Sequence, residues 1–221
     1  MEKIAVIAGT MVDTNLGCEI LKEKNYDAKS FALSKTCHDQ NLLQFVSKKE
    51  LELIVEEKIK EIKSKNIRKI LVYCNSLSSV IDFKKLEKKH NIKIVTPFDA
   101  YKKLSKSLEY VLILAANSAS TFNIESYMAN INKKLEFASI VDLNLVYLIE
   151  NEIDKNNIIK KSGVEYIFKF FENIITKKKK SILLSCTHFP YIKYEMKKLT
   201  NIDIVDPKDI MLEELKGEEN A

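Results

Sequence analysis

Two stretches of this chain, Lys69-Ile70-Leu71-Val72-Tyr73-Cys74-Asn75-Ser76 and Ser181-Ile182-Leu183-Leu184-Ser185-Cys186-Thr187-His188, follow one pattern. Each is an apolar run that stops on a cysteine, followed at once by two polar, hydrogen-bonding residues. A continuous apolar run of this length fits a strand buried on both faces, the kind found in parallel sheets covered by helices. The likeness continues downstream. A helix-like segment ends in Lys84-Lys85-Leu86 in the first copy and in Lys197-Lys198-Leu199 in the second, and a further strand closes each copy, from Ile92 to Pro97 and from Ile202 to Pro207.

The repeat also extends upstream. Lys3 to Ala8 is an apolar run that predicts a buried strand; Gly9 and Thr10 open a loop, and Asp13 or Thr14 is placed to cap a helix to about Lys24. Phe31 to Leu33 predicts a short strand, and the polar stretch Ser34 to Phe45, which holds Cys37 and His38, a loop. Ser47, with Glu50 three residues on, starts an amphipathic helix to Asn66 that carries Leu51, Ile54, Val55, Ile59 and Ile62 on one face. After Pro97 the order restarts. Tyr110 to Ala115 is a strand, Ala116 to Thr121 a loop before a helix through about Lys134, and Phe137 to Ile140 a short strand. Asn144 to Asn151 is a helix, and Asn157 to Thr176 a single long amphipathic one. Strands alternating with helices predict an α/β protein. We expect two similar parallel-sheet α/β domains related by pseudo-two-fold symmetry, with the active site in the cleft between them. The first comprises residues 1–97 plus 206–221 and the second residues 98–205.

The 221 residues suffice for one large domain or two of roughly 100 residues. No run approaches the roughly 20 apolar residues of a membrane helix, and Met1-Glu2-Lys3-Ile4 leads directly into a strand, so no membrane contact and a cytoplasmic location are expected. The net charge is +5, yet lysines and glutamates interleave along Lys48 to Lys65, and Arg68 is the only arginine. That pattern reads as a solvated, salt-bridged face and argues against a nucleic-acid partner. Cys18, Cys37, Cys74 and Cys186 form no Cys-x-x-Cys, so free thiols and no metal are expected. His90 falls at a lysine-rich helix end, where a solvated cation is expected. The glycines Gly9, Gly17, Gly163 and Gly217 are too scattered for a phosphate loop, so no nucleotide cofactor is expected.

In parallel sheets ligands bind beyond the carboxyl ends of the strands, where both cysteines fall. A thiol between a strand end and a helix start lies near the positive end of the helix dipole, which favours thiolate. Backbone N–H groups there, with Asn75 and Ser76 on one side and Thr187 on the other, suit a carboxylate, and His188 is placed to tune or protonate its neighbouring thiol. Two such half-sites would set one thiol on each face of a small acid. That is what racemisation needs: a thiolate takes the Cα proton and a thiol returns one to the opposite face. Either cysteine alone reads as a small buried hydrophobe; their duplication with polar followers is what points to chemistry. Cys18 is placed on the packing face of the first helix.

These motifs resemble those of the aspartate/glutamate racemase family. Val72-Tyr73-Cys74-Asn75-Ser76 is similar to the Cys-Asn-Thr motif of cofactor-independent glutamate racemases, and Leu184-Ser185-Cys186-Thr187-His188-Phe189-Pro190 to their Gly-Cys-Thr-His-Tyr-Pro motif. Ala116 to Thr121 falls where the family has a Thr-rich loop, and Val146 to Glu150 where it has an apolar helix ending in a functional glutamate. The resemblance implies two α/β domains of one fold, with the last strand and helix returning to the first. It implies Cys74 and Cys186 as catalytic bases, Cys74 acting on the D-enantiomer and Cys186 on the L, assisted by His188 and Glu150. Substrate binding would fall to Asn75, Ser76, Thr187 and Ser120, with Gly9, Thr10 and Asn117 in the flanking loops. The substrate would be an amino acid or small dicarboxylate, with no cofactor, and the family often forms homodimers. One departure stands out. Ala8-Gly9 occupies the place of the family's Asp-Ser after the first strand, leaving Thr10 and Asp13 as the nearby polar residues. The family's Pro-Tyr-Gly loop also has no counterpart; an ungapped count puts Leu42-Leu43-Gln44 there. That departure keeps open a related isomerase or decarboxylase acting on a small dicarboxylate, or a non-catalytic amino-acid-binding protein on the same fold.

Overall fold

A computed structural model describes residues 1–34, 39, 45–151 and 154–217. Cys37, His38 and Leu42 to Gln44 lie outside the described residues. The chain divides into two compact units, Met1–Asp99 with Lys208–Ala221, and Ala100–Pro207.

In the first unit, β1 (Lys3–Ala8), β2 (Asp27–Ala32), β3 (Lys69–Val72) and β4 (Lys93–Val95) form a four-stranded sheet in the order β2-β1-β3-β4. All its pairings are parallel, with Ile7 beside Val72 and Ile70 beside Ile94. Ile4 to Ala8 and Ile70 to Val72 are buried, as strands with helices on both faces must be. The helices are α1 (Met11–Glu23), α2 (Lys48–Ser64), α3 (Asn75–Val80) and α4 (Phe83–His90), with α5 (Pro97–Leu104) carrying the chain across the boundary. Ser47 and Glu50 close the expected capping box on α2, and Leu51, Val55, Ile59 and Ile62 form its buried face. Ile54 is exposed, outside the stripe assigned to it.

The second unit repeats the plan. β5 (Tyr110–Ala115), β6 (Glu136–Val141), β7 (Lys180–Leu184) and β8 (Asp203–Val205) are parallel in the order β6-β5-β7-β8. Its helices include α6 (Ser118–Ile131), α7 (Leu143–Asn151), α8 (Lys155–Ser162) and α9 (Val164–Asn173). After β7 come a 3₁₀ turn (Phe189–Ile192) and α10 (Lys193–Met196); α11 (Lys208–Lys216) follows β8.

Several expectations need correction. The single helix expected from Asn157 to Thr176 is two, because Gly163 stands between them at φ +70, a left-handed conformation that ends α8 and that a side chain would oppose. The last strand does not return to the first unit; β8 pairs with β7, and α11 alone goes back, packing on β3 and β4. The N-cap of α1 is Thr10, whose hydroxyl accepts from the Asp13 backbone N–H at 3.1 Å, in place of Asp13 or Thr14. His90 is not solvated: its side chain is 10% exposed, with Nε2 2.7 Å from Glu56 Oε1. Lys89 and His90 together hold the Glu56 carboxyl below its usual range.

Gly17 sets how closely α1 approaches the sheet. An added Cβ there would lie 2.8 Å from Val6 Cγ1 and 3.1 Å from Tyr73 Cβ, neither of which sits on a flexible side-chain end. Gly17→Ala is therefore expected to destabilise the protein by about 1–3 kcal/mol through overpacking. Denaturant unfolding of the two proteins checks this, since a midpoint equal to wild type would mean that the helix yields without cost.

Candidate active site

In the first unit the Tyr73 backbone N–H donates to the Ile7 carbonyl at 2.8 Å, which carries the ladder one residue past β3 and fixes where Cys74 emerges. Cys74 takes the N-cap position of α3, and its carbonyl accepts from the Ser78 N–H at 3.2 Å and the Ser78 hydroxyl at 2.7 Å. The thiol is buried, as is Asn75, and Ser76 is half-buried. At the end of the neighbouring β1, Gly9 accepts at its carbonyl from the Ser34 N–H and hydroxyl at 2.8 and 2.7 Å, and Thr10 is buried as the α1 cap. Strand order thus gathers Gly9, Thr10, Cys74, Asn75 and Ser76 at one end of one sheet.

The second unit gathers its own set. The Ser185 N–H donates to the Leu114 carbonyl at 2.8 Å, continuing the β5–β7 ladder up to Cys186. The Cys186 Sγ lies 3.7 Å from His188 Nδ1, and His188 Nε2 lies 2.8 Å from Glu150 Oε1. His188 is 2% exposed and the Glu150 side chain 10%. Glu150, on α7, is therefore not the exposed helix carboxylate that its position alone suggests. Thr187 is buried beside them. Asn117 caps α6: its Oδ1 accepts from the Ser120 N–H at 2.8 Å, and its carbonyl accepts from the Ser120 and Thr121 hydroxyls at 3.0 and 2.8 Å. Asn117 and Thr10 thus hold the same capping position in the two copies.

The two thiols differ in one respect that the sequence pattern does not predict. No α-helix begins at Cys186; His188 is in the αR conformation and leads into the 3₁₀ turn, with Pro190 in its first turn. The helix-dipole argument therefore fails for Cys186, whose nearest described ring nitrogen is His188 Nδ1 at 3.7 Å. At Cys74 the helix α3 is short, six residues, and its dipole correspondingly small.

No family model matches the chain. It is 24% identical over 179 residues to glutamate racemase 2 of Caldanaerobacter subterraneus subsp. tengcongensis, a match covering 77% of this chain and 64% of that protein's length. Its fold is that of a glutamate racemase isoform from Bacillus anthracis, with a TM-score of 0.74 at 14% identity over 97% of this chain and 80% of the other. The aspartate racemase of Picrophilus torridus shares it at a TM-score of 0.66 and 14% identity, over 98% of this chain and 95% of that one. The chain is thus similar in sequence to a glutamate racemase and shares the fold of glutamate and aspartate racemases.

Around Cys186 the chain has two further polar residues that its motifs do not mark. Tyr101, on α5, is fully buried with its phenol beside Ser185. Burial pushes its pKa above the ordinary tyrosine value, Ser185 opposes the rise, and the charges of Cys186 and Asp206 add to it. Asp206 is itself buried, just beyond β8. One signal for Asp206 was available: Val205-Asp206-Pro207 in the second copy matches Val95-Thr96-Pro97 in the first, so a carboxylate replaces a hydroxyl at the mouth of the second sheet only. Tyr101 had no such signal, since Ala100 to Leu108 carries no motif.

Proposed function

We propose that this chain is a cofactor-independent amino-acid racemase of the glutamate or aspartate type, an isomerase with Cys74 and Cys186 as its two acid/base groups. The contact series Cys186, His188, Glu150 carries the reading, since a buried thiol, imidazole and carboxylate in sequence form an apparatus for moving a proton. Ionised Glu150 accepts from the Nε2–H, which leaves Nδ1 as the acceptor for the Cys186 S–H. Inversion at Cα then needs no oxidant. One thiolate takes the Cα proton, the electron pair stays on carbon, and the opposite thiol delivers its proton to the other face, so that thiol and thiolate exchange places. Asn75, Ser76 and Thr187 are assigned to the substrate carboxylates. Glutamate is the first substrate to test and aspartate the second, in keeping with the relatives' activities.

Incubation of purified protein with each enantiomer in D₂O is expected to exchange the Cα proton and to racemise one of these amino acids. Absence of Cα exchange for glutamate, aspartate and other common amino acids would remove the racemase reading. The family resemblance places Ala8 where its motif has an aspartate, and that departure favours one second reading, an isomerase or decarboxylase acting on a small dicarboxylate. An NMR product screen with maleate and substituted malonates separates the two.

A further inference from the structure

The starts of β5, β6, β7 and β8 lie level at one end of the second sheet: Tyr110 pairs with both Glu136 and Lys180, and Ser181 with Asp203. Because the strands are all parallel, that end is opposite the one that presents Cys186. The segments leading into the strands are tied together there. Lys179 donates its backbone N–H to Glu109 at 2.7 Å, which joins the approach to β7 to that of β5. Lys178 Nζ lies 3.0 Å from Glu136 Oε1 and donates to the Lys134 carbonyl at 2.6 Å, which joins it to the approach to β6. Glu172, near the end of α9, accepts from the Thr200 hydroxyl ahead of β8. The four approaches thus make one surface.

That surface is basic out of proportion to the chain. Residues 102–110, 130–136, 172–180 and 197–203 hold eleven lysines and four carboxylate residues, a surplus of seven positive charges in a chain whose net charge is +5. Everything outside this end is therefore slightly acidic. Three of the four carboxylates, Glu109, Glu136 and Glu172, are the ones that tie the segments together. Lys106, Lys177, Lys179 and Lys197 are exposed. Between α9 and the lysine run stands Ile175, 100% exposed, and Phe170 on α9 is exposed as well. A wholly exposed isoleucine packs against nothing in the fold, and its place at the tip of a basic loop suits a surface that is apolar beneath a negative layer.

We propose that this end of the second unit docks on an anionic lipid surface, with Ile175 entering the headgroup layer and the surrounding lysines meeting the lipid phosphates. Charge and composition select this occupant. A second copy of the chain bound through the same face would set like charges against each other. A nucleic acid supplies negative charge but nothing apolar to receive Ile175, and the face has no arginine, the chain's one arginine being Arg68. The expectation of no membrane contact rests on the length of apolar runs, and among the described residues no helix is long and apolar enough to cross a membrane. Surface docking needs only a short apolar tip and local positive charge. Cys186 stays at the other end of the sheet, so the proposal does not depend on which reaction the chain performs.

Flotation of the full chain with lipid vesicles tests this. At about 0.1 M salt, binding to phosphatidylcholine vesicles with about one-third phosphatidylglycerol is expected to exceed binding to phosphatidylcholine alone by about tenfold or more, and to fall by about tenfold at about 0.5 M salt. Lys177→Glu combined with Lys179→Glu is expected to weaken binding by about a hundredfold, and Ile175→Asp by about tenfold. The chain contains no tryptophan, so Ile175→Trp supplies a single reporter, whose emission is expected to shift to the blue on the anionic vesicles and to stay unshifted on the neutral ones. No binding to anionic vesicles, binding that Ile175→Asp leaves intact, or an unshifted Ile175→Trp emission overturns the proposal. So does tighter binding to a short DNA duplex than to the vesicles at the same salt, which would make the face a nucleic-acid surface. None of these measurements requires turnover, so failure of the racemase reading in the exchange assay and failure of this proposal are separate results.

Discussion

Cys74→Ser and Cys186→Ser are each expected to lower kcat for racemisation by about 10³-fold or more. A serine hydroxyl fills nearly the volume of the thiol but does not ionise in the working range, so the variant loses one of its two proton-transfer groups, an effect of about 10² to 10⁴ for a single group. Both residues are buried at the ends of their strands, and the substitution leaves the ladders that set them in place untouched, since these run through Tyr73 and Ser185 backbone N–H groups. The residual chemistry is more telling than the loss. In D₂O the surviving thiolate can still take a Cα proton and return a deuteron to the same face. Cys74→Ser should therefore exchange the L-enantiomer without inverting it, and Cys186→Ser the D-enantiomer. Proton NMR of the Cα position, with chiral chromatography of the same samples, reads both outcomes. Wild-type turnover in either variant would show that the chemistry does not use two thiol bases.

The duplicated plan was legible because buried parallel strands write themselves as apolar runs, and because each cysteine strand is followed by similar company. Local chemistry at Ser47 and Glu50 likewise announced the start of α2 at its N-cap. What was not legible depended on tertiary context. The apolar stripe runs on from Ile159 through Val164 to Ile174, so periodicity alone could not show that the backbone turns left-handed at Gly163 and splits one helix into two. The placement of β8 was a different kind of failure: the expectation that it returns to the first unit came from resemblance, whereas Ile204 pairs with Ile182.

The site divides in the same way. Cys186 and His188 are two residues apart, and their contact could be foreseen; that Glu150 reaches His188, thirty-eight positions away in sequence, depends on α7 packing against the 3₁₀ turn after β7. His90 shows the opposite error. Its lysine-rich surroundings suggested a solvated cation, but α4 lays it against Glu56 of α2, and burial follows from that contact.

Glu150→Gln and His188→Asn should then behave as two cuts in one line. His188→Asn removes the group facing the Cys186 thiol and is expected to lower kcat/KM by about 10² to 10⁴. Glu150→Gln keeps a hydrogen-bond acceptor near Nε2 but loses the charge that stabilises the imidazolium formed when His188 takes the thiol proton, and about a 10²-fold loss is expected. The double variant should be no slower than His188→Asn alone, because Glu150 is placed to act on Cys186 through His188, with Nε2 2.8 Å from its carboxylate and Nδ1 3.7 Å from the sulfur. Steady-state kinetics on the four proteins measures the coupling. Alkylation of Cys186 should slow in both single variants. Additive losses in the double variant would mean that Glu150 acts on the substrate or on the fold independently of His188, and that the buried imidazole alone serves the second thiol.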